Sequence, residues 1–314
     1  MDSSCLKLPY QDEYVSIDED LAGLTILHLQ SGPWGPHITR LAKQFRAKRI
    51  DFRATEDWTD TDLSFLKEFG ELQSLDVELP FQWAEHTLDF LAYVPNLTSL
   101  NLRAGPRVRW EKIETLKRLR ELAVFLRSPG PEPRPIEFSA LTDLVRCRLG
   151  WTPAWNSVLK AKQIKDLQIH EIYNNIPAQL THLDCSSLLG LERLTLLGCK
   201  RLKSITLGSD VRIRELWVNG SPRLHLGSLL GEHLEKLTVI GNVASEWEEI
   251  AKAKRLKRLD ISFASKLRSA PFIKELPMLE LVSISGKLPE DEEAYMKAIN
   301  DRFRAKRKKE AKIA

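Results

Sequence analysis

The apolar positions of the chain fall into one six-residue unit, apolar-x-x-apolar-x-apolar, repeated from end to end. It reads Leu24/Leu27/Leu29, Leu72/Leu75/Val77, Leu97/Leu100/Leu102 and Leu119/Leu122/Val124 in the first half. It continues as Leu144/Cys147/Leu149, Ile164/Leu167/Ile169, Leu191/Leu194/Leu196 and Ile213/Leu216/Val218, and closes with Leu234/Leu237/Val239, Leu256/Leu259/Ile261 and Leu279/Val282/Ile284. A degenerate copy, Ala47/Ile50/Phe52, follows the first. The middle residue advances by 20 to 27 positions each time. Within a unit the alternation predicts a short strand with one face inward. No single unit can bury its own apolar face, so the copies must stack, strand beside parallel strand, over a continuous core. The second half of each early period reads as a helix: Asp62 to Phe69, Thr87 to Tyr93 and Trp110 to Leu119. Between about 180 and 240 the beat halves, with Leu180/Leu183/Cys185 and Leu202/Ile205/Leu207 between the main strands. Short extended segments are expected there in place of helices.

The repeat resembles the leucine-rich repeat, L-x-x-L-x-L-x-x-N/C-x-L. The best copies are Leu191-Glu192-Arg193-Leu194-Thr195-Leu196-Leu197-Gly198-Cys199 and Leu234-Glu235-Lys236-Leu237-Thr238-Val239-Ile240-Gly241-Asn242. Cys199 and Asn242 hold the position where that family buries a side chain to satisfy backbone groups, and Ser221 holds it in the copy between. Gly32, Pro80, Gly105, Arg127 or Ala264 stand there elsewhere, which makes the ladder incomplete. The resemblance implies an α/β leucine-rich-repeat solenoid of irregular, ribonuclease-inhibitor-like type. Such a fold is a curved horseshoe with a parallel sheet on the concave face and helices or short extended segments on the convex one. It divides the chain into an N-terminal capping segment (1–20), about twelve repeats (21–286) and a C-terminal capping helix with a basic tail (287–314).

The ends and one interruption refine this picture. Pro289-Glu290-Asp291-Glu292-Glu293 begins a helix with acids where the macrodipole favours them. Tyr295, Met296, Ile299 and Phe303 then form an apolar stripe suited to covering the open end of a stack. The following Arg302, Arg304, Lys306, Arg307, Lys308, Lys309 and Lys312 read as a solvated helix end rather than a nucleic-acid patch. Pro129-Gly130-Pro131-Glu132-Pro133-Arg134-Pro135 can be neither helix nor central strand and is expected as an extended excursion on the rim. Trp34, Trp58, Trp83, Trp110, Trp155 and Trp247 each follow a middle strand position by 7 to 10 residues, the phase of a wedge at the turn into the back layer.

Composition narrows the function. Leucine supplies 50 of 314 residues, as the repeat requires. A net charge of +4 is too weak to imply nucleic acid. No 18-residue apolar run and no basic-then-apolar start is present, so neither a membrane span nor a secretory signal is expected. The four cysteines (Cys5, Cys147, Cys185, Cys199) form no C-x-x-C pair, which points to a reduced, cytoplasmic chain. No phosphate-loop, dinucleotide, zinc-protease or nucleophile-elbow motif occurs, and the seven histidines lack metal-ligand spacing. No catalytic residue, metal or cofactor is expected, and the chain reads as a binding protein rather than an enzyme.

The third, fifth and seventh residues of each unit should face the concave side. There Trp217, Leu197 and Ile240 lie on neighbouring strands as an apolar patch, with Arg146, Arg148, Arg193 and His170 before it and Phe125 one repeat earlier still. Tryptophan and arginine together are the composition of an interface hot spot. The mixed charges argue against a nucleic-acid groove. The expected partner is therefore a protein, bound by a chain that is monomeric when free. Proteins similar in architecture act as enzyme inhibitors, including immunity proteins against toxins, or as adaptors in larger assemblies.

Overall fold

In a computed structural model, which describes residues 15–19, 25–30, 48–53, 63–79, 88–126, 130–171, 180–244 and 247–313, the repeat lays down one strand per period. The chain divides into two units. Unit 1 comprises Met1–Ala161 with Tyr173–Ile176, and unit 2 comprises Lys162–Ile172 with Pro177–Ala314.

Unit 1 holds β1 (Val15–Glu19), β2 (Thr25–Gln30), β3 (Arg49–Arg53), β4 (Ser74–Glu78), β5 (Ser99–Ala104), β6 (Glu121–Leu126) and β7 (Arg146–Gly150). β1 pairs antiparallel with β2, Val15 opposite Leu29. From β2 to β7 every pair is parallel and in one register, so Leu27, Ile50, Leu75, Leu100, Leu122 and Cys147 stand side by side. Unit 2 holds β8 (Asp166–His170), β9 (His182–Asp184), β10 (Arg193–Leu197), β11 (Ser204–Thr206), β12 (Glu215–Asn219), β13 (Lys236–Ile240), β14 (Arg258–Ser262) and β15 (Leu281–Ile284). Its main sheet runs β8-β10-β12-β13-β14-β15, all parallel, aligning Leu167, Leu194, Leu216, Leu237, Leu259 and Val282. β9 and β11 pair separately, as the halved beat predicts.

The inward residues of both units form the core. Leu75, Leu100, Leu122, Cys147, Leu167, Leu194, Leu216, Leu237 and Leu259 are all buried, as is the apolar residue two positions after each. Each such aliphatic side chain stabilises the stack by roughly 1.5–3 kcal/mol.

The helices expected in the back layer are present and are of the tighter 3-10 kind. Leu63–Glu68, Asp89–Tyr93, Trp110–Thr115, Pro153–Lys160 and Trp247–Lys252 are 3-10 segments. The cause is a strict three-residue apolar period: Leu63/Leu66/Phe69/Leu72, Leu88/Leu91/Val94/Leu97, Trp110/Ile113/Leu116/Leu119 and Trp155/Val158/Ala161/Ile164, every member buried. Three residues per turn puts such a row on one face, which an α-helix would smear round its axis. Backbone bonds climb the row in the same steps. The Leu91 N–H donates to Leu88 O (3.0 Å), Val94 to Leu91 O (3.2 Å) and Leu97 to Val94 O (3.2 Å).

The described tryptophans of the back layer, Trp110, Trp155 and Trp247, are buried wedges, and Trp110 meets Trp155 edge to face at 5.2 Å. Trp34, Trp58 and Trp83 lie outside the described residues. The proline-rich segment runs extended and largely exposed from Gly130 to Pro135, as expected, yet it is tied to the coils beside it; Pro129 lies outside the described residues. Pro133 and Ile136 are buried, Arg134 O accepts the Trp155 indole N–H (3.3 Å), and Ile136 O accepts the Ser157 hydroxyl. Prolines suit this path because an extended chain with few N–H groups to satisfy can lie flat along neighbouring coils.

α1 (Glu290–Ile313) closes the described chain in unit 2. Ile299 is buried, and the Arg258 guanidinium lies 5.9 Å from the centre of the Phe303 ring. Asn300 pairs with the edge strand like a further peptide. Its Oδ1 accepts the Val282 N–H (3.0 Å) and its Nδ2 donates to Val282 O (2.8 Å), which blunts the exposed ladder of β15. Buried Glu292 accepts the Ala270 N–H (2.7 Å) and the Ser269 hydroxyl (2.6 Å) ahead of the 3-10 turn Pro271–Glu275.

Candidate protein-binding face

The outward rows of the sheet are fixed by the register. In unit 2 the central row runs Gln168, Thr195, Trp217, Thr238, Asp260 and Ser283. Trp217 is 48% exposed although it sits mid-strand on β12, with Thr195 and Thr238 as its direct neighbours. Leu197 on β10 and Ile240 on β13 stand half-buried one row on. A row of ion pairs runs below: Arg193 to Asp166 (3.5 Å) and Lys236 to Glu215 (2.7 Å). The Lys236–Glu215 pair is exposed enough to contribute little stability, whereas Asp166 is itself buried.

Five of the eight residues singled out from the sequence, His170, Arg193, Leu197, Trp217 and Ile240, therefore belong to unit 2. The other three, Phe125, Arg146 and Arg148, belong to unit 1. His170 departs from expectation, because it is 8% exposed rather than presented to a partner. Glu171 beside it is buried too: its N–H donates to Leu197 O (2.9 Å), and its Oε1 accepts the Leu180 N–H (3.0 Å). In unit 1 Phe125 is half-buried, Arg146 is held by Glu121 (2.6 Å), and Arg148 is exposed.

The turn ladder is mixed. The Cys199 thiol lies inside, 4.0 Å from Ile169 O and 3.9 Å from Leu197 O, and Ser221 is fully buried. Asn242 is half-buried instead and reaches sideways. Its Nδ2 donates to Ser265 Oγ (3.0 Å) and its Oδ1 accepts the Lys266 N–H (3.2 Å), tying one coil to the next. Cys147, Cys185 and Cys199 are buried, and burial pushes the Cys185 and Cys199 thiols up to about 12, so neither of these two is a nucleophile at neutral pH. Among the described residues no cluster of three His, Cys, Asp or Glu could hold a metal ion, and no helix is long and apolar enough to cross a membrane.

The sequence reading missed Phe263. It is 80% exposed and carries φ 57, the left-handed backbone that side chains avoid. The signal was a break in a series. The residue after β10, β12 and β13 is Gly198 (φ 70), Gly220 (φ 66) and Gly241 (φ 92), and after β14 the same turn holds phenylalanine. Its N–H donates to Ser285 Oγ (2.8 Å), which fixes the turn while the ring stands in solvent. A strained residue with an exposed aromatic ring gains nothing for the fold that glycine would not supply.

No protein-family profile matches the sequence, and no curated protein does. Solved structures with a similar trace include an internalin, InlF, of Listeria monocytogenes at 14% identity, covering 85% of this chain and 76% of that one with a TM-score of 0.49. The functional domain of InlJ from the same organism is 15% identical and covers 74% of this chain but only 48% of its own, with a TM-score of 0.47. A leucine-rich-repeat protein of Leptospira interrogans is 16% identical and covers 87% of this chain and 80% of that one, with a TM-score of 0.39. At those values the likenesses carry nothing further, and the repeat stands on its own register. Parallel strands one period apart, inward leucines at fixed positions and a back layer of three-residue steps give each unit an α/β solenoid fold of the leucine-rich-repeat kind.

Proposed function

We propose that the protein is a non-catalytic binding module that recognises a protein partner through the outward sheet face of unit 2, with Trp217 as the anchor. One observation carries this reading: an indole stands half-exposed at the middle of a paired strand, between two threonines, where a polar side chain would serve the fold as well. Large apolar side chains held on rigid strands lose little conformational freedom on binding. Phe263 and Ile240 extend the apolar surface toward the C-terminal ends of the strands, and the flanking ion pairs supply a polar rim.

The finer reading is a cognate inhibitor, including an immunity protein against a toxin. It rests on the architecture shared with known inhibitors and on buried thiols suited to a reducing cytoplasm. An adaptor in a larger assembly would use the same face. The test is affinity isolation with the full chain as bait, repeated with Trp217→Ala. One dominant partner at equal stoichiometry, whose activity falls on binding, supports the inhibitor; several subunits co-purifying supports the adaptor. About half of the ~250 Å² of a tryptophan remains to be buried, worth ~3 kcal/mol, or a loss of roughly 100-fold on truncation. A partner held equally well by Trp217→Ala sinks the proposal for this face.

A further inference from the structure

Unit 1 carries a cavity of about 210 Å³ on its outward face, lined by charged and small polar side chains. Two rows of the register build it. One runs Arg49, Ser74, Ser99, Glu121, Arg146 across β3 to β7, and the other runs Asp51, Asp76, Asn101, Ala123, Arg148. The middle of each row is short and its ends are long. Ser74, Ser99, Asn101 and Ala123 thus form a floor, with Arg49 on one wall and Glu121, Arg146 and Arg148 on the other. At the backbone Arg49 stands four strand spacings, about 19 Å, from Arg146 and Arg148 and three from Glu121.

The polar groups of this bowl are unevenly satisfied. Arg146 is committed to Glu121 at 2.6 Å. Asp76 accepts the Asn101 amide N–H at 2.7 Å and meets Arg103 at 3.4 Å. Arg148, on the opposite wall from Arg49, is exposed with no hydrogen bond or ion pair among the described residues. Arg49 Nε and Asn101 Oδ1 are shielded from solvent with no hydrogen-bond partner, a state that costs free energy unless something repays it. The donors left over are Arg148 and Arg49 Nε, beside the acceptor Asn101 Oδ1 and the carboxylates of Asp51, Asp76 and Glu121.

We propose that this bowl is a binding site for a carboxylate, held between Arg148 and Arg49 over the floor of Ser74, Ser99, Asn101 and Ala123. A planar guanidinium matches a carboxylate with two parallel hydrogen bonds. Asp76 and Glu121 in the lining disfavour a phosphate dianion while leaving a monoanion offset by the arginines. The volume is below the ~300–1,000 Å³ of sites that enclose a drug-sized ligand, so the group is a short free carboxylate or one acidic side chain of a protein. The site lies in the other unit from Trp217 and does not depend on the function proposed above.

The test is calorimetric titration of the full chain with glutarate, with N-acetyl-glutamate amide, and with inorganic phosphate. Two variants accompany it. Arg148→Gln removes a cation that supports nothing in the fold, and Ala123→Leu fills the floor without changing charge; Trp217→Ala serves as the control in unit 2. The expected result is saturable binding of glutarate or of the blocked glutamate, weakened about tenfold or more by both variants and untouched by the control. Tighter glutarate names a free small acid as the source, and tighter blocked glutamate names an acidic side chain. Three results overturn the site: no saturation by either carboxylate at about 10 mM, equal binding by Arg148→Gln, or phosphate binding as tightly as the carboxylates.

Discussion

Replacing Phe263 by alanine and, separately, by glycine isolates the backbone cost of the turn after β14. Alanine removes the ring and keeps a Cβ at φ 57; glycine removes both. A side chain in the left-handed region costs ~1–2 kcal/mol. Glycine loses ~0.5–1 kcal/mol more conformational entropy on folding than alanine. The two nearly oppose, and the balance leaves the glycine variant ahead by about 0.5–1 kcal/mol. The order is the reverse of that at an ordinary strand or helix position, where alanine leads. With a urea dependence of about 1–3 kcal/mol per molar, the glycine midpoint should lie roughly 0.2–1 M above the alanine midpoint at equal slope. The reciprocal change, Gly241→Ala, adds a Cβ at φ 92 with no atom within 4 Å of it, so its expected loss of about 1 kcal/mol is backbone strain alone. An alanine variant at position 263 as stable as the glycine variant would mean that the turn is not strained. The case for retaining a phenylalanine there as a binding residue would then collapse.

Four further outcomes are expected. Trp217→Ala removes a side chain already about half buried and should cost at most about 3 kcal/mol, whereas Phe272→Ala in the core should cost about 3–5 kcal/mol; denaturation curves of the two variants check the order. Asp76 is raised above its ordinary value of 3.8, first by burial, against the Asn101 hydrogen bond and the Arg103 charge. An acid whose folded value is raised favours the fold below its unfolded value and loses that contribution as pH rises through the folded one. Asp76→Asn should therefore be relatively more stabilising at neutral pH than below pH 3.8, and parallel melts across that window test the sign. Asn300→Ala leaves the Val282 N–H and C=O without their partner and should cost about 1–3 kcal/mol, with faster amide exchange at Val282 as its readout.

Reading the sequence found the strands because their apolar pattern is period two and their copies are aligned in number. In the back layer Leu88/Leu91/Val94/Leu97 and Trp110/Ile113/Leu116/Leu119 are spaced by three, and that spacing, visible in the chain, marks the 3-10 kind where a reading of helix alone leaves the type open. The outward rows were legible wherever strand alternation alone decides exposure, as at Trp217, Arg146 and Arg148. They were not legible at His170, which is buried beside the buried Glu171 and its bond to the Leu180 N–H. The bowl of unit 1 was hidden for another reason. Its site is a contrast between short and long side chains on five strands, and only the register brings Arg49, Ser74, Ser99, Ala123 and Arg148 together. Glu292 and Asn300 were likewise seen as members of a helix, since a carboxylate or amide aimed at a distant backbone leaves no local mark.

The most direct measurement is oxidative footprinting of the full chain, free and bound to its partner, with modification read at each aromatic residue. In the free protein Trp217 and Phe263 should react ahead of the buried Trp110, Trp155 and Trp247, and in the complex Trp217 should be the residue most strongly protected. Trp217 reacting equally in both states would contradict the account, because the partner would then be docking somewhere other than the outward face of unit 2.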